Sequence, residues 1–324
     1  MPVTRSRVPE RSAPALRCRG TQLAVQVPVA RRAVLGALAV APLAVARPGS
    51  AFATTADGWP ALGAGSSGRR HGQWIWQELL TGDPDAAAEF YARAFGWTVT
   101  RRGVGSRAYR LAQRDGRPVA GLVRIDDRPD GLTPPARWIG LMSVPDVDAA
   151  VARATQAGGS VLAGPGVHLG RGRVALLSDP EGAAFGVIRT VDADPEDREP
   201  RDGEWLWREL WAGDAGRMAA WYRDLGNYGL RRLVHAGDQD EWVLSSSDTP
   251  RAGVIARPEP ARFSAWLPYL RVAELGSAIR MITAAGGRVL LEPSPQRRGG
   301  RVAIVADPQG GPLGLAQWAH GDVR

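Results

Sequence analysis

From residue 74 the chain reads WIWQELL, with Trp at alternate positions, and then enters a stretch where Ala87, Phe90, Tyr91 and Ala94 recur at helical spacing. The first pattern predicts a short strand. The second predicts a helix laying one apolar face on a sheet. Asp83 suits the N-cap, Pro84 the first helical position and Gly96 the stop. Three further strands are expected, over 97–101, 108–112 and 119–125, the last two joined at Asp115-Gly116. After the Pro/Gly/Asp-rich stretch 126–135 the order recurs. A strand over 137–144 precedes Asp146 as cap, then Val147, Ala150, Val151 and Ala154 on one face, then Gly158 as stop. Strands near 160–163, 173–178 and 183–189 follow, the last two joined by Asp179-Pro180-Glu181-Gly182.

The whole pattern then returns. GQWIWQELLTGD at 72–83 reappears as GEWLWRELWAGD at 203–214, so Trp205, Trp207, Glu209, Asp214 and Tyr222 stand 131 residues after Trp74, Trp76, Glu78, Asp83 and Tyr91. The second module returns at an offset of 128, Trp266 on Trp138, Arg301 on Arg173 and Asp307-Pro308 on Asp179-Pro180. The third module's helix reads as the poorest, with Gly216 inside it. One strand–helix–three-strand unit cannot bury both its helix face and its sheet, so each half should pair two units into a curved sheet of about eight strands. The predicted fold class is α+β: two tandem domains, each of two βαβββ modules forming a cupped mixed sheet with helices outside. The domains span 72–190 and 203–318, joined by the acidic, Pro-containing linker 191–202, with a tail at 319–324.

Charge changes the picture only at the N-terminus. The formal net charge is +8, but residues 1–53 hold eight Arg against one acid, Glu10, so the rest is close to neutral. Dispersed Arg over a near-neutral body argues against nucleic acid as a partner. Arg31-Arg32 precede the apolar run 33–46, which is too short to span a bilayer, and Ala51-Phe52-Ala53 has the small-x-small form of a cleavage site. Residues 1–53 thus read as an export signal of twin-arginine type, cleaved after Ala53. Residues 54–71 read as a flexible spacer, and the mature chain is expected to lie outside the cytoplasm with no membrane span. The one Cys, Cys18, falls in the leader, which leaves no thiol for a disulfide or a metal.

The strand–Asp–helix pattern with Phe90-Tyr91 and Phe95-Gly96-Trp97, the Val144-Pro145-Asp146 start, Gly158-Gly159 and the Asp-Pro-Glu-Gly turn, each in order and twice over, resemble the vicinal-oxygen-chelate superfamily of glyoxalases, bleomycin-resistance proteins and extradiol dioxygenases. The resemblance implies a cup-shaped cavity in each half, the two halves packing as an internal pseudo-dimer. It also implies where a metal would sit: on Trp76, Ile139, Trp207 and Leu267 of the first strands, and on Gly186 and Gly314 of the last. None of these side chains can ligate a divalent ion, so no metal and no cofactor is expected. This version resembles a metal-free tandem subgroup.

Alternation sends Trp74, Trp76 and Glu78 into the first cup, and Trp205, Trp207 and Glu209 into the second. Arg137, Ile139 and Leu141 follow in the first, and Ala265, Leu267 and Tyr269 in the second. A buried Glu needs a partner. Arg137 or Arg173 would serve Glu78, and Arg301 would serve Glu209. Tyr109 and His168 would rim the first cup. Aromatic walls around one carboxylate suit a small aromatic or cationic ligand. Two other readings stay open: an enzyme of the lyase, hydroxylase or dioxygenase kind, metal-dependent or using Glu78 or Glu209 as acid or base, and a non-catalytic scaffold whose cups are filled by their own side chains.

Overall fold

A computed structural model describes residue 62 and residues 66–105, 108–127, 133–168, 170–234, 240–259 and 261–318. The expected export signal with its cleavage site and Cys18, most of the spacer, the tail 319–324, His235 and His320 lie outside the described residues.

The first half runs β1 (Trp74–Thr81), α1 (Pro84–Phe95), β2 (Thr98–Arg102), β3 (Tyr109–Arg114), β4 (Arg117–Arg124), β5 (Arg137–Ser143), α2 (Val147–Gln156), β6 (Ser160–His168), β7 (Gly172–Ser178) and β8 (Ala184–Thr190). The second runs β9 (Trp205–Ala212), α3 (Ala215–Gly226), β10 (Gly229–Leu233), β11 (Glu241–Ser246), β12 (Thr249–Ala256), β13 (Ala265–Val272), α4 (Leu275–Ala284), β14 (Arg288–Leu291), β15 (Val302–Ala306) and β16 (Pro312–Gln317). Each half is one eight-stranded mixed sheet. The orders, β2-β3-β4-β1-β5-β8-β7-β6 and β10-β11-β12-β9-β13-β16-β15-β14, are the same plan twice. The first strand of each module sits at the centre, where β1 pairs antiparallel with β5 and β9 with β13.

The helices start where the caps direct. The Asp83 side chain accepts from the Asp85 and Ala86 N–H groups, and Asp146 and Asp214 cap α2 and α3 in the same way. α3 is as long as α1, contrary to the expectation from Gly216. It ends on Asn227 in the left-handed region, and Gly226 makes room for the Tyr228 ring, which a Cβ would meet at 2.3 Å. The helices cover one face of each sheet, and these faces also join the halves. α1 and α4 share a core with Leu79, Leu122 and Trp138 from the first sheet and Leu270, Val305 and Leu315 from the second. α2 and α3 share the other, with Met142 and Phe185 facing Leu210 and Leu244. The opposite, cup faces of the two sheets therefore point away from each other.

Two buried relays cross the junction. Trp138 Nε1 donates to Tyr91 Oη (3.1 Å), and Tyr91 donates to Asp307 (3.0 Å). Trp266 Nε1 donates to Tyr222 Oη (2.8 Å), and Tyr222 donates to Asp179 (3.1 Å). The repeated Trp, Tyr and Asp of the sequence thus bind one half to the other.

Two of the Trp residues expected in the cups are at this junction instead. Trp74 lies against Trp266 (4.7 Å between ring centroids), and Trp205 against Trp138 (4.8 Å). The cause is a bulge in each central pairing. Trp76 faces Leu141 but Trp74 faces Met142, and Trp207 faces Tyr269 but Trp205 faces Leu270. One extra residue turns the strand over, so strict alternation fails between the two Trp of each copy.

Candidate functional site

In the first cup Glu78 stands mid-strand on β1, 1% exposed, paired across the ladder with Gly121. A Cβ at Gly121 would lie 1.9 Å from both Glu78 Oε2 and Tyr109 Oη, so the absent side chain makes room for the pair. Trp76 Nε1 donates to Glu78 Oε1 (2.8 Å), and Tyr109 Oη donates to the same carboxylate (3.1 Å). The cation is Arg171, which the sequence reading missed. Its Nη1 donates to Glu78 (2.8 Å) and its Nη2 to Tyr109 Oη (2.8 Å), with the guanidinium 5.1 Å from the Trp76 ring centroid and 0% exposed. Burial raises the Glu78 pKa, and Arg171 opposes the rise. His168 is buried beside this group rather than on a rim, its pKa lowered by burial and then by Arg171. Neither expected partner bonds to Glu78 among the described residues. Arg173 makes a two-pronged ion pair with Asp148 on the surface (2.7 Å), and Arg137 pairs in register with Leu80. Trp76, Glu78, Tyr109 and Arg171 are all buried and pack into the first cup as one hydrogen-bonded group, with Leu62 against the same apolar cluster.

The second cup encloses a cavity of about 830 Å³. Glu209 is again the central carboxylate, accepting from Tyr269 Oη (2.9 Å) and from Trp211 Nε1 (2.8 Å). Tyr109 has become Glu241 in this half, and one guanidinium nitrogen of Arg298 donates to both Glu209 (2.6 Å) and Glu241 (3.0 Å). Gly253 plays the part of Gly121, since a Cβ there would lie 2.0 Å from Glu241 Oε1. Burial alone would lower the Arg298 pKa, but Glu209 and Glu241 outweigh it and the group stands above the usual arginine range. The expected Arg301 lies in the cavity wall, stacked over the Trp318 ring (5.8 Å). Trp207 also lines the cavity, and its Nε1 has no hydrogen-bond partner among the described residues.

One hairpin sets where the cation of each cup sits. β6 is nine residues long and ends beside Arg171, which sits between Gly170 and Gly172, both at positive φ. β14 is four residues long and is followed by Pro293 and Pro295, whereas β6 carries its one proline, Pro165, through a register shift. The loop instead turns at Arg298-Gly299-Gly300, all three at positive φ, and holds Arg298 at the edge of the cup, 38% exposed. The signal for both arginines is an Arg set among hairpin glycines, Gly170-Arg171-Gly172 and Arg298-Gly299-Gly300.

The seats that the fold implies for a metal do not fit one. Trp76, Ile139, Trp207 and Leu267 occupy the first strands. A Cβ at Gly186 would meet Leu141 at 2.3 Å and one at Gly314 would meet Tyr269 at 2.2 Å, so neighbouring side chains fill the remaining seats. Each cup carboxylate is hydrogen-bonded to a guanidinium. Among the described residues no three His, Cys, Asp or Glu side chains gather as a metal site.

The sequence model of the Glyoxalase/Bleomycin resistance protein/Dioxygenase superfamily matches residues 75–187. The putative glyoxylase CFP32 of Mycobacterium tuberculosis is 30% identical over 245 residues, covering 74% of this chain and 93% of that protein. The anthracycline biosynthesis protein DnrV of Streptomyces peucetius is 30% identical over 266 residues, covering 76% and 93%. In fold, the chain is similar to the Mn(II)-bound glyoxalase from Novosphingobium aromaticivorans (TM-score 0.53, 16% identity, 76% of this chain and 82% of that one). It is similar also to the 2,3-dioxygenase LapB from Pseudomonas (TM-score 0.51, 14% identity, 79% and 96%).

Proposed function

The chain belongs to the Glyoxalase/Bleomycin resistance protein/Dioxygenase superfamily, and from that premise we propose that it binds one planar aromatic molecule, without a metal ion, in the cup of its second half. The observation that carries the reading is the cavity of about 830 Å³ walled by Trp207, Trp211 and Tyr269, with Glu209, Glu241 and Arg298 at one end. That is the size and lining of a small-molecule pocket, mostly apolar with a few converging polar groups. The carboxylates accept hydrogen bonds from ligand hydroxyl or N–H groups, and Trp207 Nε1 supplies a donor. A polycyclic phenol satisfies both. The similarity to a protein of anthracycline biosynthesis points to the same class.

A water-soluble hydroxyanthraquinone is the test ligand. It should quench the Trp fluorescence of the wild-type chain saturably. Val243→Trp, which fills the cavity, should abolish the quenching. Undiminished binding to that variant would place the ligand elsewhere and end the proposal.

A catalytic reading is favoured by two carboxylates facing one cavity, either of which can take a proton from a bound phenol or carbon acid. Glu209→Gln and Glu241→Gln would then bind the ligand but leave it chemically unchanged where the wild type alters it. The leader supports a further proposal, export of the folded chain, which Lys in place of both Arg31 and Arg32 should block.

A further inference from the structure

We propose that the junction between the two halves holds a small oxyanion on Arg208. Arg208 alternates with Trp207 and Glu209 along β9, so as those two face the cup it faces the other half of the molecule. It makes no hydrogen bond and no ion pair among the described residues, and its Nε is buried without an acceptor. Its guanidinium lies 5.3 Å from the ring centroid of Trp74, a residue of the first half. Gln77, which holds the same place in the first copy of the repeat, is 2% exposed, and its Oε1 is likewise without a partner. Gln77 reaches the same spot as Trp74. A Cβ on Gly140 would lie 2.8 Å from the Trp74 ring and 3.3 Å from Gln77 Nε2.

A second guanidinium lies near. Arg251 acts on Arg208 from the same junction, and Arg251 is itself held by Asp197 (2.7 Å) and Ser246 (2.8 Å). The Tyr228 hydroxyl close by donates to the Gly72 carbonyl. Desolvation lowers the Arg208 pKa to about 9, with no carboxylate acting to restore it, so the group is charged at neutral pH. Arg208 is half-buried, and its Nε is shielded from solvent without an acceptor, which is costly for a charged donor. Its planar donors match a carboxylate or a phosphate. The Gln77 amide, turned to present Nε2, adds a second donor, and the Trp74 ring supplies the floor. A bound oxyanion would pair the Arg208 donors and bridge the halves.

The experiment follows the thermal unfolding midpoint of the full chain. Phosphate and acetate are each titrated at constant ionic strength against a chloride reference. In the wild type at least one should raise the midpoint saturably, and which one identifies the anion. Arg208→Met should lose that response, with apparent affinity weakened about ten-fold or more, the scale of one charged hydrogen bond. Gln77→Glu supplies a carboxylate from the protein. It should raise the midpoint in chloride alone and abolish the response to added anion. Val243→Trp, which fills the cup, should respond as the wild type does, so failure of the cup reading and failure of this one are separable. A wild type that responds to neither anion would overturn the proposal. So would an equal response in Arg208→Met.

Discussion

Trp76 and Trp207 hold equivalent places in two copies of one strand, yet only the first indole is bonded to its Glu. At Glu209 the donors are Trp211 and Tyr269 instead, and the cation sits differently as well. Arg171 enters the first cup completely, whereas Arg298 stays at the edge of the second. Removing one partner from a buried pair leaves a charge without compensation, so Arg171→Met should cost about 3–5 kcal/mol in chemical denaturation. Arg298 is partly exposed and solvent screens it, so Arg298→Met should cost about 1 kcal/mol or less. Equal losses would mean that the cups are filled alike. At this scale the sequence was only half legible. Glu78 and Glu209 were readable because a carboxylate amid Trp on a central strand stands out. Arg171 was not, because the glycines around it read as turn and because Arg137 and Arg173 looked nearer by strand register. Gly121 and Gly253 were not legible either, since the need for an absent Cβ emerges only when another strand brings Tyr109 or Glu241 alongside.

Among the elements, the caps and the succession of strands and helices along the chain were readable from local chemistry: Asp83, Asp146 and Asp214 each cap the helix expected of them. The bulges that send Trp74 and Trp205 to the junction were not, because an inserted residue leaves no mark on an apolar run. The Asp-Pro turns were read as turns alone, yet each also anchors the other half. Asp179 is buried at the end of its relay, and desolvation raises its pKa to about 6 despite the N–H groups of Ala183 and Glu181. A carboxyl raised above its unfolded value near 3.8 binds its proton more tightly when folded. Its contribution is therefore fully present below pH ~4 and is lost as the pH rises through 6. Wild-type stability minus that of Asp179→Asn should fall by about 2–3 kcal/mol between pH 4 and pH 7, as a shift of roughly two units requires. A difference that is flat or rises with pH would contradict the desolvated state of this turn. Tyr222→Phe breaks the same relay and should cost about 1–3 kcal/mol, the cost of leaving one Asp179 carboxyl oxygen and the Trp266 N–H unpaired.

For the whole molecule, the repeat predicted two similar sheets and the structure has them, because one βαβββ unit leaves its helix face bare. How the halves meet was beyond the sequence. Each helix has a single apolar face, and only the assembled chain shows α1 packing with α4 and α2 with α3. Residues 203–318 expressed alone should therefore expose Leu270, Leu313 and Leu315, and should elute in size-exclusion chromatography as dimers or aggregates. Adding residues 66–202 should restore a one-to-one species. A stable, soluble monomer of either half would show that the shared cores are not needed. The repeat makes the two halves look equal, but their cups differ, one packed with a buried hydrogen-bonded group and one open. The most direct test is the stoichiometry of hydroxyanthraquinone binding by calorimetric titration. One equivalent per wild-type chain and none for Val243→Trp is the predicted result. Two equivalents per chain, or one that survives Val243→Trp, would contradict it.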